Sequence, residues 1–298
     1  MVSLIAFEIP LSSFAAGTPP HKMQIVTTLF PLYDMARFIG AGNADVILLM
    51  PPGVEPHSYE PKPSDAVKIN EADIFIFTGK FMEPWAQDVI KSLDSKNLTI
   101  IDASRGTRMI SAVFHDADEP AGAPDPHIWL DFGNAKIMVD SIAQAMIRID
   151  SRDAGIYEQR AAEYDKMLTD LDSTYSAALS KCNTREIVYG GHYAFGYLAN
   201  RYGLKYLSAQ GVSPDAEPTA YDMARLVDQI RKDKINYIFY EELTSPKVAQ
   251  IIASETNANM LPLSAAHNVT KEQLDKGVTF FDILKSDLDN LKIGLECR

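Results

Sequence analysis

Three of the six histidines stand in settings that suit a metal ligand. His57 lies in "PPGVEPHSYEPKPSD" (51–65), with five prolines around it and Glu55 two residues before it. His127 lies in "DPHIWLD" and His192 in "GGHYAFGY". A neutral imidazole offers one lone pair, a borderline donor that suits Zn²⁺ and other late divalent ions. Its second nitrogen then needs an acceptor to orient the ring. Taken singly, each of these histidines could instead be a loop residue satisfied by a local hydrogen bond. Their common context, a loop after an apolar run, is what favours the metal.

The elements that must position them follow from the chain pattern. Proline fixes its own φ and restricts the residue before it, so 51–65 reads as a stiff, extended loop. Before it come a β-rich run, 25–29, a helix opened by Pro31 and ending near Gly40, and "ADVILLM" (44–50), read as a continuous apolar strand. After it, "PSDAVKINEA" reads as a helix with Ser64 as N-cap, followed by strand 73–79, a helix in "EPWAQDVIKSL" and strand 98–104. A second loop, 115–131, leads to a helix over 133–149 and a long one over 153–181. In the long helix Ile156, Ala161, Tyr164, Met167, Leu168, Leu171 and Tyr175 recur at helical spacing. A second βα series comes next: strand "EIVYGG", a helix in "AFGYLANRYG", "KYLSAQ", a helix over 220–233, "INYIFYEE", a helix near 246–256 and a last one over 278–294.

Strands alternating with helices imply parallel sheets covered on both faces. The fold class expected is therefore α/β: two α/β lobes joined by one long rigid helix. The divisions are a leader segment at 1–21, a first lobe at 22–152, a linking helix at 153–181 and a second lobe at 182–298. Ligands of open α/β sheets bind beyond the carboxyl ends of the strands. Two of the three histidines fall in the first lobe and one in the second, so they can meet only between the lobes.

Composition narrows the rest. With 28 basic and 40 acidic residues the net charge is −12, and no basic run exists to bind nucleic acid. "VSLIAFEIPLSSFAAG" reads as a secretory signal that lacks a basic start. No later stretch reaches the ~18–20 apolar residues of a membrane span. No cysteine near this N-terminus offers a lipid anchor, so a periplasmic, soluble chain is expected. The two cysteines, Cys182 and Cys297, could form one disulfide or remain free thiols.

The chain resembles the solute-binding proteins of zinc and manganese ABC importers, the cluster A-I or cluster 9 family, from about Lys22 to Leu295. The resemblance is carried by "VTTLFPLYDMARFIGAG", "MPPGVEPHSYEPKPSD", "DPHIWLDFGNAKIMVDSIAQ", "GGHYAFGYLANRYGL", "YEELTSPKVAQIIASET" and "GVTFFDILKSDLDNL". It implies two α/β lobes about a rigid helix, a metal between them, and delivery of a divalent ion to an ABC permease in the inner membrane. Position by position, His57, His127 and His192 match the first three family ligands. The fourth is commonly an aspartate, but the matching run is "LPLSAAHN", which puts Leu261 there. His267, Glu242 or a water must then complete the shell, and His267, in a loop of the second lobe, is the expected fourth ligand. Glu55 is a weaker candidate and Glu241 an acceptor behind a ligand histidine. Trp129, Tyr193 and Phe195 read as packing around the site. His21 reads as a terminal residue, and His115 as the single histidine of a shortened collecting loop.

Nitrogen donors select Zn²⁺, and Mn²⁺, which prefers oxygen, fits less well. The expected protein is a monomer and not an enzyme, with zinc as cargo. A zinc-dependent hydrolase with an open three-histidine site is the alternative, although no His-Glu-x-x-His helix occurs.

Overall fold

The computed structural model describes residues 22–112, 122, 124–212 and 217–298. The leader segment, His21 and His115 lie outside the described residues. The first half contains β1 (Met23–Thr27), α1 (Phe30–Gly40), β2 (Ala44–Leu48), α2 (Pro63–Asn70), β3 (Ile74–Phe77), α3 (Ala86–Ser92) and β4 (Thr99–Asp102). A single 3-10 turn, Ile128–Leu130, leads into α4 (Phe132–Ile149). After α5 (Ala154–Leu179) the second series runs β5 (Glu186–Tyr189), α6 (Gly196–Tyr202), β6 (Lys205–Ser208), α7 (Ala220–Asp233), β7 (Tyr237–Tyr240), α8 (Lys247–Thr256), β8 (Asn259–Pro262), α9 (Lys271–Asp275) and α10 (Phe280–Gly294).

Each series forms one parallel four-stranded sheet, ordered β2-β1-β3-β4 and β6-β5-β7-β8. The inner strands β3 and β5 are buried along their whole length, as near-continuous apolar runs must be when both sheet faces are covered. β2 differs from its expected reading. It is an edge strand that alternates half-buried with exposed residues, and Ile47 is 38% exposed. β8 and α9 have no counterpart among the expected elements.

α5 braces both halves. At ~1.5 Å per residue its 26 residues span about 39 Å. Its buried stripe is Tyr157, Ala161, Tyr164, Leu168, Leu171, Tyr175 and Leu179, while Ile156 and Met167 of the expected stripe face solvent. Tyr164 donates to Asp34 on α1 at 3.0 Å, and Tyr175 donates to the Leu284 carbonyl on α10. One continuous apolar cluster runs from Met23 to Leu295, so the two sheets share a core.

The stiff loop is anchored where it enters α2. Ser64 does not cap that helix. Pro63 takes the first helical position, where its missing N–H costs nothing, and Lys62 is the cap. Asp65, buried in the first turn, accepts from the Lys62 N–H at 2.9 Å and the Tyr59 hydroxyl at 2.7 Å, so it ties down the loop's far end.

Cys182, just past α5, and Cys297, just past α10, form a disulfide that closes 115 residues of chain. A crosslink over a loop of that length restricts the unfolded chain and typically stabilises by about 2–4 kcal/mol. Cys297→Ser should lower the unfolding free energy by that amount in urea titrations. Equal stability of the two proteins would show that the bond contributes nothing.

Candidate metal centre

Four histidine-bearing loops leave the carboxyl ends of parallel strands: His57 after β2, His127 beyond β4, His192 after β5 and His267 after β8. Glu241 directly follows β7. His127 and His192 are 0% exposed and His267 2%, whereas His57 lies at the edge and is half-buried.

The Nε2 atoms of His57 and His127 are 3.2 Å apart, and those of His127 and His192 are also 3.2 Å apart. Four nitrogens at ~2.0–2.1 Å around a tetrahedral zinc would stand about 3.3–3.4 Å from one another. The spacing is close to that of ligands sharing one ion.

Proton placement sharpens the reading for two of the rings. His127 Nδ1 lies 2.8 Å from Asp125 Oδ1, and His192 Nδ1 lies 2.9 Å from Glu241 Oε2. A carboxylate only accepts, so both Nδ1 atoms carry the proton, and in the neutral rings both Nε2 atoms present bare lone pairs. Those lone pairs face each other at 3.2 Å with no hydrogen between them. Such a contact is repulsive unless a cation or an added proton sits there.

The acid-Pro-His repeat explains how the first two loops differ. In Asp125-Pro126-His127, Asp125 Oδ1 accepts both the His127 backbone N–H, at 3.0 Å, and its ring. In Glu55-Pro56-His57 the side chain is one methylene longer. Glu55 Oε1 still accepts the His57 backbone N–H at 3.1 Å, but Glu55 Oε2 turns toward His267 Nε2, 3.8 Å away.

His267 joins a second grouping with His192 and Glu241, and its Nε2 lies 3.7 Å from Glu241 Oε1. Its Nδ1 and Glu55 Oε2 are buried with no hydrogen-bond partner among the described residues. Burial pushes the His57 and His127 imidazoles well below the usual histidine range and lowers that of His267. His192 is the exception. Burial pulls it down, but the charge and hydrogen bond of Glu241 outweigh this and raise it. Glu241 itself is held below the usual carboxylate range, the attraction of His192 overcoming burial.

The loops are bolted across the seam between the two halves. Asn268 Nδ2 donates to the carbonyls of Pro51 (2.9 Å) and Val54 (2.8 Å), and the Gly53 N–H donates to the Val269 carbonyl at 2.8 Å. Trp129, edge-on to the His127 ring, donates its Nε1–H to the Ala265 carbonyl at 2.7 Å. The Phe30 N–H donates to the carbonyl of His267 at 3.1 Å.

A family model described as the periplasmic component A of a zinc-uptake complex, ZnuA, matches residues 25–294. The chain belongs to the ZnuA family. It is 35% identical to the high-affinity zinc uptake system protein ZnuA of Bacillus subtilis (strain 168), over 94% of this chain and 90% of that protein. It is also 35% identical to the zinc-binding protein AdcA of Streptococcus pyogenes serotype M3, covering 98% of this chain but 60% of AdcA. The Zn(II)-bound ZnuA-like domain of Streptococcus pneumoniae AdcA superposes with a TM-score of 0.79 at 32% identity, covering 93% of this chain and all of that domain.

Within this ZnuA-family fold the three histidines expected to meet do meet, and Glu241 stands behind His192 as expected. Glu242 does not join them. It is exposed and belongs to neither cluster of potential ligands. Leu261 lies on β8, opposite Phe239 of β7, and packs on the core. Asp125, the acceptor against the His127 ring, is not among the expected site residues, although its place two residues before His127 was the available signal. Removing it with Asp125→Ala should free the His127 ring and its tautomer. Metal affinity should then fall about 10- to 100-fold in a competition titration against a chromophoric zinc chelator. Unchanged affinity would mean that the carboxylate does not orient the ring.

Proposed function

We propose that this chain captures Zn²⁺ outside the inner membrane and delivers it to an ABC permease, with His57, His127, His192 and His267 as the ligands. The observation that carries the reading is the pair of facing, carboxylate-locked Nε2 lone pairs of His127 and His192. Family membership supports the transport role, and the zinc function of its relatives supports the metal. Among the described residues no helix is long and apolar enough to cross a membrane. A periplasmic location and a monomeric state belong to the same proposal.

Binding needs no bond to break. Neutral imidazoles displace the waters of the hydrated ion, and His267 turns from Glu55 and Glu241 to close the shell. Nitrogen donors favour Zn²⁺ over Mn²⁺. Nothing in the site favours the hydrolase reading. Native mass spectrometry with metal analysis should find one zinc per chain, with affinity at least roughly tenfold lower in His267→Ala, about 1.4 kcal/mol. Unaltered stoichiometry and affinity would remove His267 from the shell.

Protons compete for the same lone pairs. His192 has the raised pKa, so it is the first ring to charge as pH falls, and its extra proton must sit on Nε2 because Glu241 already holds Nδ1–H. His57, His127 and His267 have lowered pKa values and stay neutral until the solution is more acidic. Zinc affinity should therefore be constant well above the His192 pKa, lose about one proton's worth per pH unit below it, and fall more steeply in stronger acid. Glu241→Gln should move the first break to lower pH. A flat affinity between pH 8 and 5 would contradict the ligand set.

A further inference from the structure

α6 begins four residues after His192, and two of its side chains, Tyr197 and Arg201, are one helical turn apart and so lie on one face. Both reach the loop that carries His127, one on each side of it. The Tyr197 hydroxyl donates to the Asp125 carbonyl at 2.9 Å and accepts from the Ile110 N–H at 3.2 Å. Asp125 is the residue that fixes the His127 ring. Four residues beyond His127, Asp131 accepts from Arg201 Nη1 at 3.0 Å with one oxygen, and its other oxygen caps α4 by accepting the Asn134 N–H. The same guanidinium makes a forked pair with Asp172 on α5, Nε to Oδ1 at 2.8 Å and Nη2 to Oδ2 at 2.5 Å. The Tyr202 hydroxyl adds a further bond to Asp172 at 2.8 Å.

Arg201 thus joins three parts: the loop of the first sheet, the bracing helix and the helix that comes after His192. The fit at the start of α6 is close as well. A Cβ at Gly196 would come within 2.6 Å of Asp125 Oδ2. Because the His192 loop runs directly into α6, a shift of α6 relative to the His127 loop would bear on the distance between His127 and His192.

The clasp is not sealed. The Arg201, Asp131 and Asp172 side chains are 27%, 23% and 27% exposed, and all three line a cavity of about 790 Å³ together with Arg108, Asn200 and Tyr202. Water and ions reach it, unlike the buried imidazoles beyond.

We propose that Arg201 is a positioning residue for the metal: a solvent-reachable clasp that holds the His127 and His192 loops in register, and whose rupture opens the shell for release. This rests on the zinc reading above. The forked guanidinium geometry, which lysine cannot reproduce, is the chemical basis.

The test is the rate at which zinc leaves the full, zinc-loaded chain for an excess of chelator, followed by stopped flow from low to high NaCl. If the forked clasp keeps the two loops in register, its loss lets them part more readily, so Arg201→Met should release zinc roughly tenfold faster. Wild type should speed up with salt, and the variant should have lost that dependence. Arg201→Lys should fall between them, and Asp131→Asn, which can keep its bond to the Asn134 N–H, should resemble the methionine variant and serves if that one folds poorly. A purely structural role would lower the melting temperature of the metal-free chain yet leave the salt dependence of release intact, which would overturn the proposal. So would equal release rates in all four proteins. A wild-type chain that takes up no zinc would instead defeat the metal reading, and the clasp with it.

Discussion

Two imidazole nitrogens, His127 Nε2 and His192 Nε2, face each other at 3.2 Å, each with its proton committed to the opposite side of its ring. Much of the remaining structure serves to hold them there. Asp125 and Glu241 do more than orient rings. By accepting from Nδ1 they raise the basicity of Nε2, and they bring negative charge into a space where the two rings are fully buried. Buried charge without compensation is costly. A divalent cation between the rings would turn lone-pair repulsion into two coordinate bonds and offset both carboxylates at once.

Keeping two such groups opposed requires a scaffold that does not relax, and the seam supplies it. The segment after β8 reaches across to Pro51, Val54, Trp129 and Phe30 through backbone carbonyls, backbone amides and the Asn268 side chain. Asp65 holds the other end of the stiff loop through Tyr59 and Lys62. The prolines lower the entropy lost when this loop is fixed, so few bonds suffice to aim His57. The shared core beneath, with α5 anchored to α1 and α10, makes the two halves a single packed body around the site.

How much of this was legible in the sequence depended on how local each feature is. Alternating strands and helices are periodic signals within single elements, and they were readable. So were His57 and His192, because a ligand loop at a strand's carboxyl end is a topological rule. Features set by a neighbour in space were not. Whether "ADVIL" lies inside or at the edge of its sheet is decided by strand order, which no local pattern encodes. Ser64 looked like a cap because it precedes an apolar run, yet Pro63 one residue earlier fits the first helical position better. Ile156 and Met167 match helical spacing but fall on the outer side of α5, since its packing is set by Tyr157, Tyr164 and Tyr175. β8, Asn-Met-Leu-Pro, is no shorter than β3 to β7, but it holds no β-branched or aromatic residue and ends in proline, so no strand signal marks it. Glu242 and Glu241 are adjacent in sequence, and only the direction of the chain after β7 puts one inside and the other out.

The two acid-Pro-His loops show how one methylene divides the labour. Asp125 is short enough to fold back on both the backbone and the ring of His127, so that ring is fixed before any ion arrives. Glu55 reaches past His57 toward His267, leaving the His57 ring without that brace and at the half-buried edge. A site built from two fixed rings, one freer ring at the rim and a fourth that lies near two carboxylates without bonding to them can fill in order. On the proposed ligand set, the rim imidazole would meet the hydrated ion first, the locked pair would strip it, and His267 would close the shell last. Release would then run the same path backward, its cost lying in the separation of His127 from His192 by relative movement of their loops.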